Sequence, residues 1–256
     1  MEGESALNRN EEILSELLTE QYAYFYRIAY SYVRNEADAQ DIVQESAYKA
    51  IYHAKKLKKQ EYTKTWICRI VINEAISLGL ENIGENKADE FRDKCALYAP
   101  AKKHFIGHLQ TNKIKYLIGK VDLYHSVDSI HLAEEIDKMS KKHGIVSNVL
   151  IQVNIGREES KSGFDYDEIM TAYNAIKGMQ NLKVEGLMAM LPKSEDEPYL
   201  RGLARKMREI FDRLKAKDEN IKHLSMGMSH DYKICVEEGS NMIRIGSGIF
   251  GARPQK

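Results

Sequence analysis

Two glycine-bearing turns near the C-terminus carry residue types that suit an anionic ligand. Ser225-Met226-Gly227-Met228-Ser229 follows one apolar run, and Arg244-Ile245-Gly246-Ser247-Gly248-Ile249-Phe250-Gly251 continues another. Glycine lets the main chain approach a ligand closely, and free N–H groups where a helix starts favour negative charge. Gly/Ser turns follow strands in proteins of every kind. As a pair after the last two strands of a barrel, the usual phosphate position of that fold, they favour a phosphate group. Other groupings carry less. His125-Ser126-Val127-Asp128 holds the residue types of a hydrolase triad, but side chains so close in sequence rarely converge, and no Gly-x-Ser-x-Gly elbow is present. His104 and His108 lack a third metal ligand at suitable spacing, so no metal site is expected, and they read as hydrogen-bonding residues at a barrel end. From Lys49 to Asn73 there are seven Lys/Arg and one acid, Glu61, with Tyr62 and Trp66 nearby. Such a patch neutralises phosphates and stacks unpaired bases, or else is a solvated lysine connector beside a core tryptophan.

The elements that must position these residues follow two patterns that change near residue 78. Before it, everything reads as helix. Glu11 to Val33 sets Ile13, Leu17, Tyr24, Ile28 and Tyr32 on one stripe, Asp38 to Ala54 forms a second helix, and Tyr62 to Leu78 a third. No glycine interrupts the chain between Gly3 and Gly79, as suits a helical bundle. After Gly79, short apolar runs alternate with amphipathic stretches. Strands are expected at Leu80–Ile83, His104–Ile106, Leu123–His125, Val149–Asn154, Val184–Ala189, His223–Met226 and Met242–Ile245. Helices are expected at Asn86–Cys95, Asn112–Ile118, Ser129–His143, Tyr166–Met179, Glu197–Lys215 and Tyr232–Glu238. This alternation predicts a parallel sheet, because parallel neighbours need crossover connections. No long glycine-rich loop follows the first strand, which favours a barrel over a dinucleotide-binding sheet. Seven strands are one short of a complete (β/α)8 barrel.

Composition narrows the field. The 256 residues are 43% hydrophobic and 30% charged, with 38 basic side chains against 38 acidic ones. That is enough chain for a sizeable core and two modest domains, with no global basic field toward DNA or membranes. Cys68, Cys95 and Cys235 are widely spaced and odd in number, fitting a reduced compartment better than a disulfide framework. Met1-Glu2-Gly3-Glu4-Ser5 is unlike a signal peptide, and the apolar run Ile70-Val71-Ile72 is far too short to span a bilayer. A soluble, cytoplasmic protein without a membrane partner is expected.

A longer set of motifs supports a resemblance. In order come Ile83-Gly84-Glu85-Asn86, His104-Phe105-Ile106-Gly107-His108-Leu109-Gln110-Thr111-Asn112-Lys113 and His125-Ser126-Val127-Asp128. Val153-Asn154-Ile155, Glu159-Ser160-Lys161-Ser162-Gly163, Gly186-Leu187-Met188 and the two glycine turns follow. From about Glu74 to Arg253 the chain resembles the YggS-type pyridoxal phosphate homeostasis proteins, relatives of the N-terminal barrel of alanine racemase. The resemblance implies a carrier or buffer of pyridoxal 5'-phosphate (PLP) without established turnover. It implies cofactor-binding roles for Asn86, Met226, Ser229, Arg244, Gly246 and Ser247: the phosphate against Ser229, Gly246 and Ser247, Arg244 facing the pyridine nitrogen, and Asn86 lining the ring pocket. An arginine there keeps the nitrogen unprotonated, because adjacent cations repel, and so weakens the cofactor as an electron sink. The other reading of Arg244 is a salt bridge at the barrel end.

The family holds its cofactor as a Schiff base to a lysine that ends the first barrel strand, and this chain lacks that strand. Lys58-Lys59-Gln60-Glu61-Tyr62-Thr63, where it would lie, is too charged and polar to fill a barrel interior. Lys64 stands 22 residues before Asn86, and Thr63-Lys64-Thr65 mimics the motif. Its flanks belong to a different pattern, so Lys64 is only the secondary Schiff-base candidate. Lys87, Lys113 and Lys161 follow loop or helix-start motifs and do not end strands. Phosphate contacts and Arg244 would then give weak, reversible binding.

The helical part carries a second resemblance. Tyr26-Arg27-Ile28-Ala29-Tyr30-Ser31-Tyr32-Val33-Arg34-Asn35, Ala37-Asp38-Ala39-Gln40-Asp41-Ile42-Val43-Gln44-Glu45, Lys49-Ala50 and Tyr62 to Ala75 look like region two of the extracytoplasmic-function sigma factors, over roughly residues 11–78. The resemblance implies that the Asp38–Glu45 helix docks on the RNA polymerase core and that the basic, aromatic helix after it touches promoter DNA. The family's second helical domain does not follow, so promoter binding should be weak, because affinity gained by linking two modules is lost. Glu74 to Leu80 suits both the end of the sigma helix and the entry to the barrel, with no Gly/Ser/Pro linker between. The expected organisation is a three-helix module, residues 1–78, ahead of an incomplete (β/α)8 barrel of about seven strands, residues 79–256. The expected function is PLP-binding homeostasis, with a sigma-like transcription module as the alternative.

Overall fold

The structure, a computed structural model, describes residues 2–33, 35–57, 60–77, 81–95 and 101–246. Lys58, Lys59, Leu78, Gly79, Leu80 and the turn from Ser247 onward lie outside the described residues. The chain forms two compact units, one of residues 1–81 with 97–101, the other of residues 82–96 with 102–256.

The first unit is helical. Its helices are α1 (Glu2–Glu20), α2 (Tyr22–Val33), α3 (Glu36–Tyr52) and α4 (Thr63–Ser77). Among the described residues four α-helices thus stand where three helices were expected, because the stretch read as one helix over 11–33 breaks at Gln21. The break is hard to see in the pattern. Leu14 and Leu18 of α1 and Phe25 and Ile28 of α2 are all buried, and seven residues separate Leu18 from Phe25, so the helical phase runs on across Gln21. The start of α3 is marked plainly: Asn35 Oδ1 accepts from the Ala37 and Asp38 amides at 2.9 and 3.2 Å. Helix α4 buries Ile67, Val71 and Ala75 at spacings of four. Lys49 Nζ bonds Glu74 on α4 at 2.7 Å and its own-helix neighbour Glu45 at 3.2 Å.

The second unit is a curled half-barrel of six parallel strands with helices outside it. In chain order these are β1 (Asn82–Glu85), α5 (Ala88–Lys94), β2 (Lys102–Phe105), α6 (Ile114–Leu117), β3 (Leu123–Val127), α7 (Ile130–His143), β4 (Ser147–Val153), α8 (Ile169–Lys177), β5 (Leu182–Ala189), α9 (Glu197–Lys215), β6 (His223–Ser225) and α10 (Tyr232–Glu237). Each strand pairs with the next, in the order β1-β2-β3-β4-β5-β6. Side-chain alternation sorts the strands into two faces. Tyr124, Ile151, Leu187 and Leu224 join the main core with Phe91, Ile136, Met207 and Phe211 from the helices. Leu123, Leu150 and Met188 form a small separate core on the inner face.

The seventh expected strand, Met242–Ile245, shrinks to one bridge between Ser225 and Met242. Side chains take over the pairing just before it. The Ser240 hydroxyl lies 2.7 Å from the Met226 carbonyl and 3.0 Å from that of Leu224. Asn241 Oδ1 accepts from the Leu224 amide at 2.8 Å, and Asn241 Nδ2 donates to the Lys222 carbonyl at 2.6 Å. Three main-chain bonds share the contact, Asn241 N to Leu224 O at 3.3 Å, Met226 N to Met242 O at 3.1 Å and Arg244 N to Gly227 O at 2.9 Å. Among the described residues no helix is long and apolar enough to cross a membrane.

Candidate functional site

Arg244 sits where the ends of β5 and β6 meet the C-terminal segment. It is 8% exposed. Its Nη1 donates to the Ser225 carbonyl at 2.9 Å and to Ser225 Oγ at 2.5 Å, and its Nη2 donates to the Ala189 carbonyl at 2.8 Å. Burial pulls the guanidinium down to about 10, partly offset by Asp231 and Cys235, so it stays a cation at neutral pH. The salt-bridge reading does not hold: among the described residues no carboxylate pairs with this guanidinium. An arginine carries five N–H donors. Three are used here, and the Nε hydrogen and the second Nη2 hydrogen bond to no described residue.

The described part of the second turn, up to Gly246, starts beside the first. The Arg244 N to Gly227 O bond ties the segment entering Gly246 to the turn after β6. Gly227 has φ +106°, and a Cβ there would lie 3.0 Å from Tyr232 Cα, so glycine is required. Asp231, 2% exposed, accepts from the Met228 amide at 2.6 Å and closes the turn that carries Ser229. Ser229 is half-buried, and Gly246 is exposed with open space around its Cα. Ser247 lies outside the described residues. Met226 is fully buried in the helix-facing core, so its side chain supports the turn from behind.

Asn86 follows β1 and is exposed. Its main chain is pinned by Gly107, where a Cβ would lie 1.9 Å from the Asn86 carbonyl oxygen. Lys64 belongs to the helical unit. It lies on α4 rather than at a strand end, donates to Gln21 Oε1 at 3.0 Å and sits 4.0 Å over the Tyr24 ring. Lys87, Lys113 and Lys161 are ion-paired with Glu90, Asp89 and Glu158.

The histidines take parts that spacing did not reveal. His125 and Ser126 do not form a triad with Asp128: Ser126 Oγ donates to the Gly107 carbonyl, while Asp128 pairs with His108 at 3.1 Å. His125 instead meets Ser225, with Nδ1 3.1 Å from Ser225 Oγ, and its Nε2 is 3.0 Å from His104 Nδ1. Both rings are buried. Burial pushes His104 down to about 4, and burial with His104 and Arg244 beside it holds His125 well below 6.5. Residues a hundred positions apart in the chain meet here. The only signal was period-two alternation, which put His104 and His125 on one face of β2 and β3. Among the described residues no His/Cys/Asp/Glu cluster could hold a metal.

A one-sided parallel barrel with a buried cation and a glycine turn at its strand ends defines a class, the barrel of the alanine racemase N-terminal domain, whose family model matches residues 50–254. A pyridoxal phosphate homeostasis protein of Aquifex aeolicus is 44% identical over 189 residues, covering 72% of this chain and 82% of that one. The Escherichia coli K12 protein of the same name is 38% identical, covering 71% and 80%. The chain belongs to the pyridoxal phosphate homeostasis protein family. Two solved structures agree: an unknown protein from Bifidobacterium adolescentis (TM-score 0.65, 34% identity, 70% and 79% covered) and PipY of Synechococcus elongatus with PLP bound (0.63, 29%, 72% and 87%). Sigma-70 region 2 matches residues 17–78, so the two family models overlap across residues 50–78, which include α4.

Proposed function

We propose that this chain binds pyridoxal 5'-phosphate reversibly, as a homeostasis-type carrier, without the covalent tether of its family. The observation that carries the reading is Arg244: a buried cation, fixed by two main-chain carbonyls and a hydroxyl, with two N–H donors that bond to no described residue at the strand ends. Such donors suit an unprotonated ring nitrogen, and the glycine turn after β6 with the segment entering Gly246 suits a phosphate, so the residues present fit the cofactor. Arg244 would face the pyridine nitrogen, Ser229, Gly246 and Ser247 the phosphate, and Asn86 the ring, with Met226 bracing the turn. When bound, the cofactor supplies an aldehyde that condenses with amines. Arg244 holds its charge next to the ring nitrogen and so keeps that nitrogen unprotonated. Lys64, on α4 with Gln21 and Tyr24, is secondary as a covalent anchor.

The test is a PLP titration of the full chain followed by absorbance, then borohydride reduction and mass mapping. Saturable binding that is lost in Arg244→Gln, with no pyridoxyl-lysine, is the expected result. No binding would end the reading, and labelling at Lys64 would end its non-covalent part.

A second reading belongs to the helical module, and it rests on the sigma-70 region 2 match. Asp38, Asp41 and Glu45 are exposed on α3, as are Tyr48 and Tyr52. That face suits docking on core RNA polymerase, with promoter DNA touched by the basic stretch after it. Pull-down of core polymerase that is unchanged by Asp41→Lys would refute it. We place both activities in the cytoplasm, on modules divided at residues 78 and 79.

A further inference from the structure

The inner face of the half-barrel holds a buried polar chain that the cofactor reading alone does not use. It runs Arg244–Ser225–His125–His104 and involves β6, β3 and β2. All four residues are buried, Ser225 completely so. Buried polar groups need partners, and in a chain of them each member's proton positions constrain the next.

The direction of the chain follows from its first member. A guanidinium only donates. Ser225 Oγ therefore accepts from Arg244 Nη1, and its own hydrogen must go elsewhere. The partner within reach is His125 Nδ1, at 3.1 Å. His125 Nδ1 then accepts, which places the His125 hydrogen on Nε2. That hydrogen points at His104 Nδ1, 3.0 Å away, so His104 also accepts at Nδ1 and carries its hydrogen on Nε2. A cationic imidazole would present Nδ1–H to Ser225 and reverse the chain, next to the charge of Arg244.

We infer that Ser225 is the positioning residue of the site, and that with His125 and His104 locked behind it as Nε2–H tautomers it holds Arg244 so that the two spare guanidinium donors face the bound ring. This rests on the PLP reading above. Arg244 keeps its bonds to the Ser225 and Ala189 carbonyls when the hydroxyl is removed, but those leave the planar fork free to tilt about the strand ends. The hydroxyl supplies a further, charge-assisted bond on Nη1, and its orientation is set by a neutral imidazole that is itself held from behind. The histidines thus act through Ser225 and touch no ligand.

The experiment uses the full chain and has two arms. In the first, ¹⁵N-histidine NMR without ligand reads the tautomers directly, assigned with His104→Gln and His125→Gln. Two Nε2–H rings are expected, with the His125 Nδ1 resonance moving in Ser225→Ala. An Nδ1–H tautomer at His125, or a resonance indifferent to Ser225→Ala, overturns the inference. In the second, PLP titrations compare the unaltered chain with Ser225→Ala, Ser225→Thr and Arg244→Gln, each first shown to keep its fold by circular dichroism. Ser225→Ala should weaken PLP at least tenfold, the size set by one hydrogen bond to a charged group, and Ser225→Thr should restore most of the loss. PLP binding that Arg244→Gln abolishes and Ser225→Ala leaves intact sinks the positioning role while sparing the cofactor reading. An unaltered chain that binds no PLP sinks both.

Discussion

Acid should loosen the barrel well before its carboxylates are exhausted, and His104 sets the scale. Its ordinary value of 6.5 falls to about 4 in the folded protein because burial disfavours the charged ring. A histidine with a depressed folded value contributes stability that is fully present above its unfolded value and is lost as pH falls toward the folded one. Between pH 7 and pH 5 the unfolded ring becomes almost wholly protonated while the folded ring stays mostly neutral, a loss of about 2 kcal/mol, reaching about 3 kcal/mol by pH 4. His125 shifts the same way and adds to it. The assay is native-state hydrogen exchange on β4 and β5 amides, which reports opening of the barrel independently of the helical unit. Protection should fall between pH 7 and 5, after correction for intrinsic exchange, and a His104→Gln/His125→Gln variant should lose most of that dependence. A flat profile, or the same slope in the variant, would show that these rings are not held neutral by burial.

Three further outcomes are expected. Gly107→Ala should destabilise the barrel by about 2 kcal/mol or more, read by urea unfolding, because the new Cβ would overlap the Asn86 carbonyl oxygen at 1.9 Å and one backbone or the other must shift. Asn35→Ala should lower the stability of the helical unit by about 1 kcal/mol in thermal melts, since the amides of Ala37 and Asp38 lose their cap. Ser240→Ala should cost about 1–2 kcal/mol and selectively speed exchange of the Met226 and Arg244 amides, leaving the β4–β5 ladder unchanged.

The sequence disclosed most where a residue's local pattern matched its final surroundings. Strand–helix alternation located all six strands of the sheet, and α9 runs from Glu197 to Lys215 as its apolar spacing predicted. It misled where two arrangements share one pattern. The break at Gln21 keeps the helical phase, so one helix and two look alike. At Met242–Ile245 the residues suit a strand, but Ser240 and Asn241 occupy the neighbouring carbonyls and amides, leaving a single bridge. At the candidate site, the glycine turn after β6 was readable because its pattern is local, whereas the role of Arg244 came from the family resemblance. The Ser225–His125–His104 chain was not, because it depends on which strand faces which across a curved sheet.

The clasp made by Ser240 and Asn241 has a mechanical consequence. Strands joined by a full main-chain ladder separate only by losing many bonds at once, whereas this rim is fastened to β6 by the side chains of Ser240, Asn241 and Arg244 and by three main-chain bonds. The segment carrying Arg244 therefore holds to the sheet largely through side chains, so a single substitution at Ser240, Asn241 or Arg244 removes a definite share of its attachment.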